Sequence, residues 1–231
     1  DRCDEIGLLV LPTVSDEETI IQYRNHPSIY MWNIEGSINA HQLDPTRPTT
    51  HIFDTKKAPL EEDVYAYNDH KYTTTHIGCE SKSDITSDMN KPYLIASYEQ
   101  SIITKNPLSH ALRHAYVLNT IRSKKDIVGS YGPLMCDITQ DNEGVMDAYR
   151  NPRLVSYFYA TQGKKKAILE VRDHYIFTNC DYVEVYRNGS FVQKLTPSKD
   201  YAYLLHAPMH LEDPIGALLE PQLDHKQAEK L

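Results

Sequence analysis

Bulky aromatics and long apolar runs are what this chain has least of. One Trp and four Phe stand among 231 residues, against seventeen Tyr. No apolar stretch approaches the roughly 18 residues that a membrane helix needs, so no membrane span is expected. Lys and Arg total 24 against 32 Asp and Glu, a net charge of -8, and no segment forms a basic stripe. Neither nucleic acid nor a membrane is therefore an expected partner. The four cysteines, Cys3, Cys79, Cys136 and Cys180, lie far apart and make no Cys-x-x-Cys. That spacing argues against both a zinc site and a disulfide framework. It reads as buried thiols of a reducing compartment, and a cytoplasmic location is expected. The first residues lack a signal-peptide pattern and the chain opens on Asp1, not Met. We read it as a piece of something longer, which leaves a removed signal peptide open.

What is present is an alternation of short apolar runs and helical patterns. Ile6–Leu11 reads as a buried-type strand. Ser15 with Glu18 has a capping-box pattern, opening a helix to about Asn25 that Pro27 ends. Ser28–Ile34, Arg47–Phe53, Glu62–Tyr67 and Pro92–Tyr98 read as strands. Thr73–Asn90 is polar and unpatterned, as a loop at a barrel mouth would be. Pro107–Ile121 is the clearest helix, with Leu108, Ala111, Leu112, Ala115 and Leu118 on one face. Asp126–Met135 starts as a strand that Gly132-Pro133 interrupts, and Asn151-Pro152 opens a helix to about Gln162. Beyond Gly163 the pattern changes to alternating runs: Ala167–Val171, Tyr175–Thr178, Val183–Arg187 and Ser190–Leu195. Asn188-Gly189 between the last two is a strong hairpin signal. Pro214–Leu231 reads as a polar tail. The expected boundary separates 1–163 from an all-β module over 164–231.

Two of the strands run out into a carboxylate. Tyr30-Met31-Trp32-Asn33-Ile34 leads into Glu35, and Tyr93-Leu94-Ile95-Ala96-Ser97-Tyr98 leads into Glu99. A (β/α)₈ barrel presents its catalytic groups at the C-terminal ends of its strands. Two carboxylates so placed are what glycoside hydrolysis needs, one as proton donor and one as nucleophile or base. Asn68-Asp69 ends another strand and suits sugar hydroxyls, though the pair is also a good turn. Trp32 reads as strand core or as a sugar platform. His110 and His114 stand at i, i+4 on a helix, as zinc pairs do, but no third ligand accompanies them and no metal or cofactor is expected.

Several segments, in order, resemble glycoside hydrolase family 2, the β-galactosidase-type enzymes. They include Asp1–Val10, Arg24–Ile29, Asp44-Pro45-Thr46-Arg47-Pro48, Asp63–Asp69 and Lys91–Leu94. Ala111–Ala115, Gly144–Pro152 and Thr178–Gly189 continue the series. The resemblance implies an α/β fold: a partial (β/α)₈ TIM-type barrel over 1–163, then a small all-β, Ig-like sandwich over 164–231. It implies retaining hydrolysis of O-glycosidic bonds in β-galactoside-type carbohydrates. Glu35 would be the acid/base, Glu99 a displaced nucleophile, and Asn68, Asp69 and Trp32 would bind substrate.

The departures are specific. Glu35 follows Trp32 two or three residues earlier than the pattern has it. Ser97 stands before Tyr98 where the pattern has a Glu, and a Ser lacks the charge for that role. Gly132-Pro133 replaces a strand-end Trp. Five or six strands are countable before 163, and an open parallel sheet leaves two unpaired edges. A homo-oligomer, or N-terminal domains beyond this chain, would cover them. The rival reading is a non-catalytic carbohydrate-binding or structural remnant of the family.

Overall fold

The computed structural model describes residues 1–69, 78–98, 106–132, 134–137, 144–163 and 167–211. Glu99, Pro133, Lys164–Lys166 and the tail over Pro214–Leu231 lie outside the described residues. Two compact units divide the chain. The first holds Asp1–Tyr72, Cys79–Glu99 and Lys124–Gly132, and the second holds Thr73–Gly78, Gln100–Ser123 and Pro133–Leu231.

The first unit contains α1 (Arg2–Ile6), β1 (Thr13–Val14), α2 (Glu17–Tyr23), β2 (Trp32–Ile34), α3 (Ala40–Leu43), β3 (Thr49–Phe53), β4 (Val64–Asn68), α4 (Lys82–Ile85), β5 (Tyr93–Ser97) and β6 (Ile127–Ser130). All six strands pair in parallel, in the order β1-β2-β3-β4-β5-β6, so each strand lies beside its successor in sequence. Side chains alternate between the two faces of a strand. One face gathers Met31, Ala66 and Leu94, with Tyr30, Ile52, Ala96 and Tyr131 packed against them. The Tyr131 hydroxyl, just past β6, donates to the Tyr30 hydroxyl, just before β2. In a flat sheet β2 and β6 would lie about 19 Å apart, four strand spacings. That face is therefore concave. Among the described residues no ladder joins β6 to β1.

Two expectations at the start of the chain need correction. Ile6–Leu11 is not a strand. Gly7 adopts φ 69 and ends α1, its N–H reaching the carbonyls of Asp4 and Cys3. Leu8 and Leu9 are exposed, and only Val10 pairs, as an isolated bridge to Ile29. The cap of α2 is Asp16, not Ser15: its carboxylate accepts the Thr19 N–H at 2.8 Å. Asp is as good an N-cap as Ser, and here it also holds the Thr19 hydroxyl at 2.9 Å.

The second unit contains α5 (Pro107–Ser123), α6 (Leu154–Thr161), β7 (Leu169–Arg172), β8 (Tyr175–Thr178), β9 (Val183–Arg187), β10 (Ser190–Leu195) and β11 (Met209–His210). The strands form two small antiparallel sheets, β10-β9 and β11-β8-β7. Asn188 and Gly189 both take positive φ, 51 and 80, in the hairpin turn that Asn-Gly favours. Ala111, Ala115, Leu118, Val155, Phe158 and Phe177 belong to the core of this unit. All four cysteines are free, but only Cys79 is buried, and Cys180 is exposed. No helix among the described residues is long and apolar enough to cross a membrane.

Candidate active site

The C-terminal edge of a parallel sheet collects the strand-end residues at one rim. At β2, Asn33 is buried and fixed at both ends. Its Nδ2 donates to Thr13 Oγ1 at 2.9 Å, and its Oδ1 accepts the Ile52 N–H at 3.0 Å. Glu35 extends the ladder by one bond, its N–H donating to the Val14 carbonyl at 2.9 Å. Ile34 and Gly36 line a cleft of about 440 Å³ with Ile38, His41, Thr49 and Glu62. Strand alternation therefore sends Glu35, between them, to the opposite side, the side of Asn33 and Met31. That side is the concave face, where the Glu35 side chain is exposed.

Asn68, the last residue of β4, shares the face of Ala66. Its Nδ2 donates to Asp54 Oδ1 at 2.8 Å. Asp54 directly follows β3. A register shift between Tyr67 and Asn68 makes Ser97 the partner of Asn68. Paired residues leave a sheet on the same side, so the irregularity turns the Ser97 side chain toward Asn68. Re-aiming a side chain is what bulges do beside functional sites. Asp69 is 1% exposed; its N–H donates to the Ser97 carbonyl, and its Oδ2 accepts the Glu80 N–H, each at 2.7 Å. Glu80 pairs with Lys56 at 2.7 Å, and that hydrogen bond raises the Lys56 pKa. Burial raises the Tyr67 hydroxyl; the Lys56 charge opposes this, while Asp69, Glu80 and Asp54 add to it. Burial likewise raises Tyr93, reinforced by the Asp69 charge, and its hydroxyl has no hydrogen-bond partner among the described residues. The rim is acidic, with Lys56 as a counter-charge.

Glu35, Asn68 and Asp69 thus lie along one edge of one sheet, and Glu99 lies outside the described residues. Trp32 takes a different place. It has no exposed surface, and its indole N–H donates to Asp44 Oδ2 at 2.9 Å. Asp44 also accepts from Thr46 and from Arg47, the latter at 2.8 Å. Arg47 spends its other donors on the carbonyls of Ile29, Arg24 and His26. The Asp44–Arg47 segment is therefore a clamp on the turn before β2, with Trp32 as its wall. Burial alone would raise the Asp44 carboxyl, but the donors of Thr46, Trp32 and Arg47 bring it down to about 2. Residues that sequence reasoning missed at the rim are Asp54, Lys56 and Glu80. The first had a signal, a carboxylate immediately after an apolar run.

Among the described residues, one group of His, Cys, Asp and Glu could hold a cation: Asp1, Asp4 and His26, with ligand atoms within 4.8 Å. Its bonds are already internal, His26 Nδ1 to Asp4 Oδ2 at 2.6 Å and Ser28 N–H to Asp4 Oδ1 at 2.9 Å. These bonds hold the Asp4 carboxyl well below the usual carboxylate range. In the second unit the His114 ring meets His110 Nε2 and the Tyr159 hydroxyl, each at 3.0 Å. Both of its nitrogens therefore have protein partners.

In a mixed α/β fold with a sequentially ordered parallel sheet, the C-terminal rim is where the strand-end polar groups gather. No family model matches the chain. It is 26% identical to a β-galactosidase of Thermoanaerobacterium thermosulfurigenes, over 87% of this chain and 37% of that enzyme. It is 28% identical to a β-galactosidase of Thermoanaerobacter pseudethanolicus, over 90% of this chain and 36% of that one. The fold is similar to that of a Parabacteroides merdae β-glucuronidase, with TM-score 0.61 and 14% identity over 90% of this chain and 40% of the other. The chain is related to glycoside hydrolase family 2. It spans little more than a third of the length of the curated relatives it matches.

Proposed function

We propose that the first unit carries the site of a retaining β-glycosidase acting on β-galactoside-type carbohydrates. The parallel sheet would be the surviving part of a (β/α)₈ barrel over 1–163, and 164–231 an Ig-like sandwich. The observation that supports this is the shared rim: Glu35 directly follows β2, and Asn68 and Ser97 end β4 and β5 as partners in the same parallel sheet. Glu35 protonates the leaving oxygen and Asn68 binds a sugar hydroxyl, while the buried Asp69 ties the Glu80 and Ser97 backbones beside it. The proposal locates the chain in the cytoplasm, where its four free thiols stay reduced. Sheet edges at β1 and β6 that no described strand covers favour association, with a second copy or with further domains.

Release of chromophore from aryl β-galactosides and β-glucuronides tests the proposal. Turnover that Glu35→Gln abolishes is the expected result; turnover unchanged by that substitution contradicts it. A second reading has its own support. Ser97 stands at the strand end where the resemblance implies a Glu, which favours a non-catalytic carbohydrate-binding remnant. Sugar binding without turnover would select that reading.

A further inference from the structure

Retaining hydrolysis needs a second carboxylate, and Ser97 cannot be it. The rim holds a carboxylate from a neighbouring strand. Ile52 packs on the concave face with Met31 and Ala66, whereas Phe53 stacks on Tyr65, with ring centroids 5.0 Å apart. Asp54, two residues beyond Ile52, returns to the concave side. Its Oδ1 accepts from Asn68 Nδ2 at 2.8 Å, and Asn68 is the strand partner of Ser97. One hydrogen bond therefore separates the Asp54 carboxylate from the side chain that lies next to Ser97. Asn33 pairs with Thr50, which sets Glu35 opposite Ile52. Asp54 is then two residues further along the adjacent strand, about 8 Å from Glu35 at Cα by strand geometry. Two carboxylate side chains can reduce such a gap to the roughly 5–5.5 Å of retaining enzymes.

We propose that Asp54, supplied by the end of β3, is the nucleophile of this site in place of the residue at 97. This rests on the glycosidase reading. In the first step an Asp54 oxygen bonds to the anomeric carbon as the bond to the leaving oxygen breaks, and the Glu35 proton passes to that oxygen. In the second step water displaces Asp54 from the same carbon and gives its proton to Glu35. No electrons are exchanged with a co-reactant. Asn68 is a positioning residue, holding Asp54 Oδ1 at 2.8 Å.

The test is trapping with an activated 2-deoxy-2-fluoro-β-galactoside, followed by mass mapping, on the full chain. The expected label lies on the peptide carrying Asp54. Asp54→Asn lowers kcat by roughly a thousandfold or more, and Asn68→Ala lowers kcat more than it raises KM. An unchanged Trp32 fluorescence melt of Asp54→Asn shows that the variant folds. A label on Glu99, or turnover that survives Asp54→Asn, overturns the assignment of Asp54 alone. A wild-type chain with no turnover and no label overturns both this assignment and the glycosidase reading.

Discussion

Asp44 in the first unit and His114 in the second are buried in opposite electrical states. In the parallel-sheet unit the buried group is a charge with a full set of donors. Asp44 is 3% exposed, and Arg47, Thr46 and Trp32 all donate to it. In the second unit, which also buries the Asp137–Arg153 ion pair, the contrasting group is a neutral histidine. Burial, reinforced by the neighbouring His110, holds His114 down to about 3, where an ordinary histidine titrates near 6.5. A buried charge is tolerated when its partners are fixed, and a buried base is tolerated when it gives up its proton. The difference shows what each of the two groups does for its unit. The clamp fixes the turn that launches β2 and Glu35, whereas the histidine pair fills space between packed helices.

The clamp offers the largest effect. Arg47→Ala leaves Asp44 without its cation, and removing one partner of a buried pair should cost about 3 kcal/mol. Trp32, the one tryptophan of the chain, lies in the first unit and touches the clamp, so its fluorescence midpoint in urea reports the loss. An unchanged midpoint would mean that the clamp is incidental.

Acid sharpens the comparison. The Asp44 pKa is lower folded than unfolded, about 2 against 3.8, so its stabilisation is present above 3.8 and lost as pH falls toward 2. The His114 pKa is also lower folded than unfolded. Its unfolded form takes a proton first, so stability is full above 6.5 and lost between 6.5 and 3. The second unit should therefore loosen first. Amide exchange at α5 and α6 should accelerate near pH 5 while Trp32 emission stays native. Simultaneous loss of both signals near pH 5 would show that His114 does not act on the second unit alone.

The smallest effect expected is at the β9–β10 turn. Gly189→Ala places a Cβ at φ 80 and should cost about 1 kcal/mol, read as faster exchange confined to that hairpin.

Most elements were legible because each carries one dominant signal. The strands over Thr49–Phe53, Val64–Asn68 and Tyr93–Ser97 are apolar runs bounded by polar ends, and the hairpin announces itself through Asn188-Gly189. The stretch Ile6–Leu11 has the same apolar character, yet Gly7 uses its conformational freedom to end a helix there. Composition cannot tell a strand from a cap followed by an exposed link. At the rim, Glu35 and Asn68 were legible from the strand-end rule. Asp54 obeys that rule too, but it carries weight only once Asn68 is seen to hold it. Trp32 was open between core and platform, and only the position of Asp44, twelve residues on, decides that its ring is a wall of the clamp.

The claim on which the rest depends is that the concave rim of the parallel sheet meets the sugar. Backbone amide shifts during titration with a non-hydrolysable thio-β-galactoside test it directly. The account predicts shifts concentrated at Glu35, Asp54, Asn68 and Ser97. Shifts confined to the cleft of Ile38, His41 and Glu62 on the other face, or to the second unit, would contradict it.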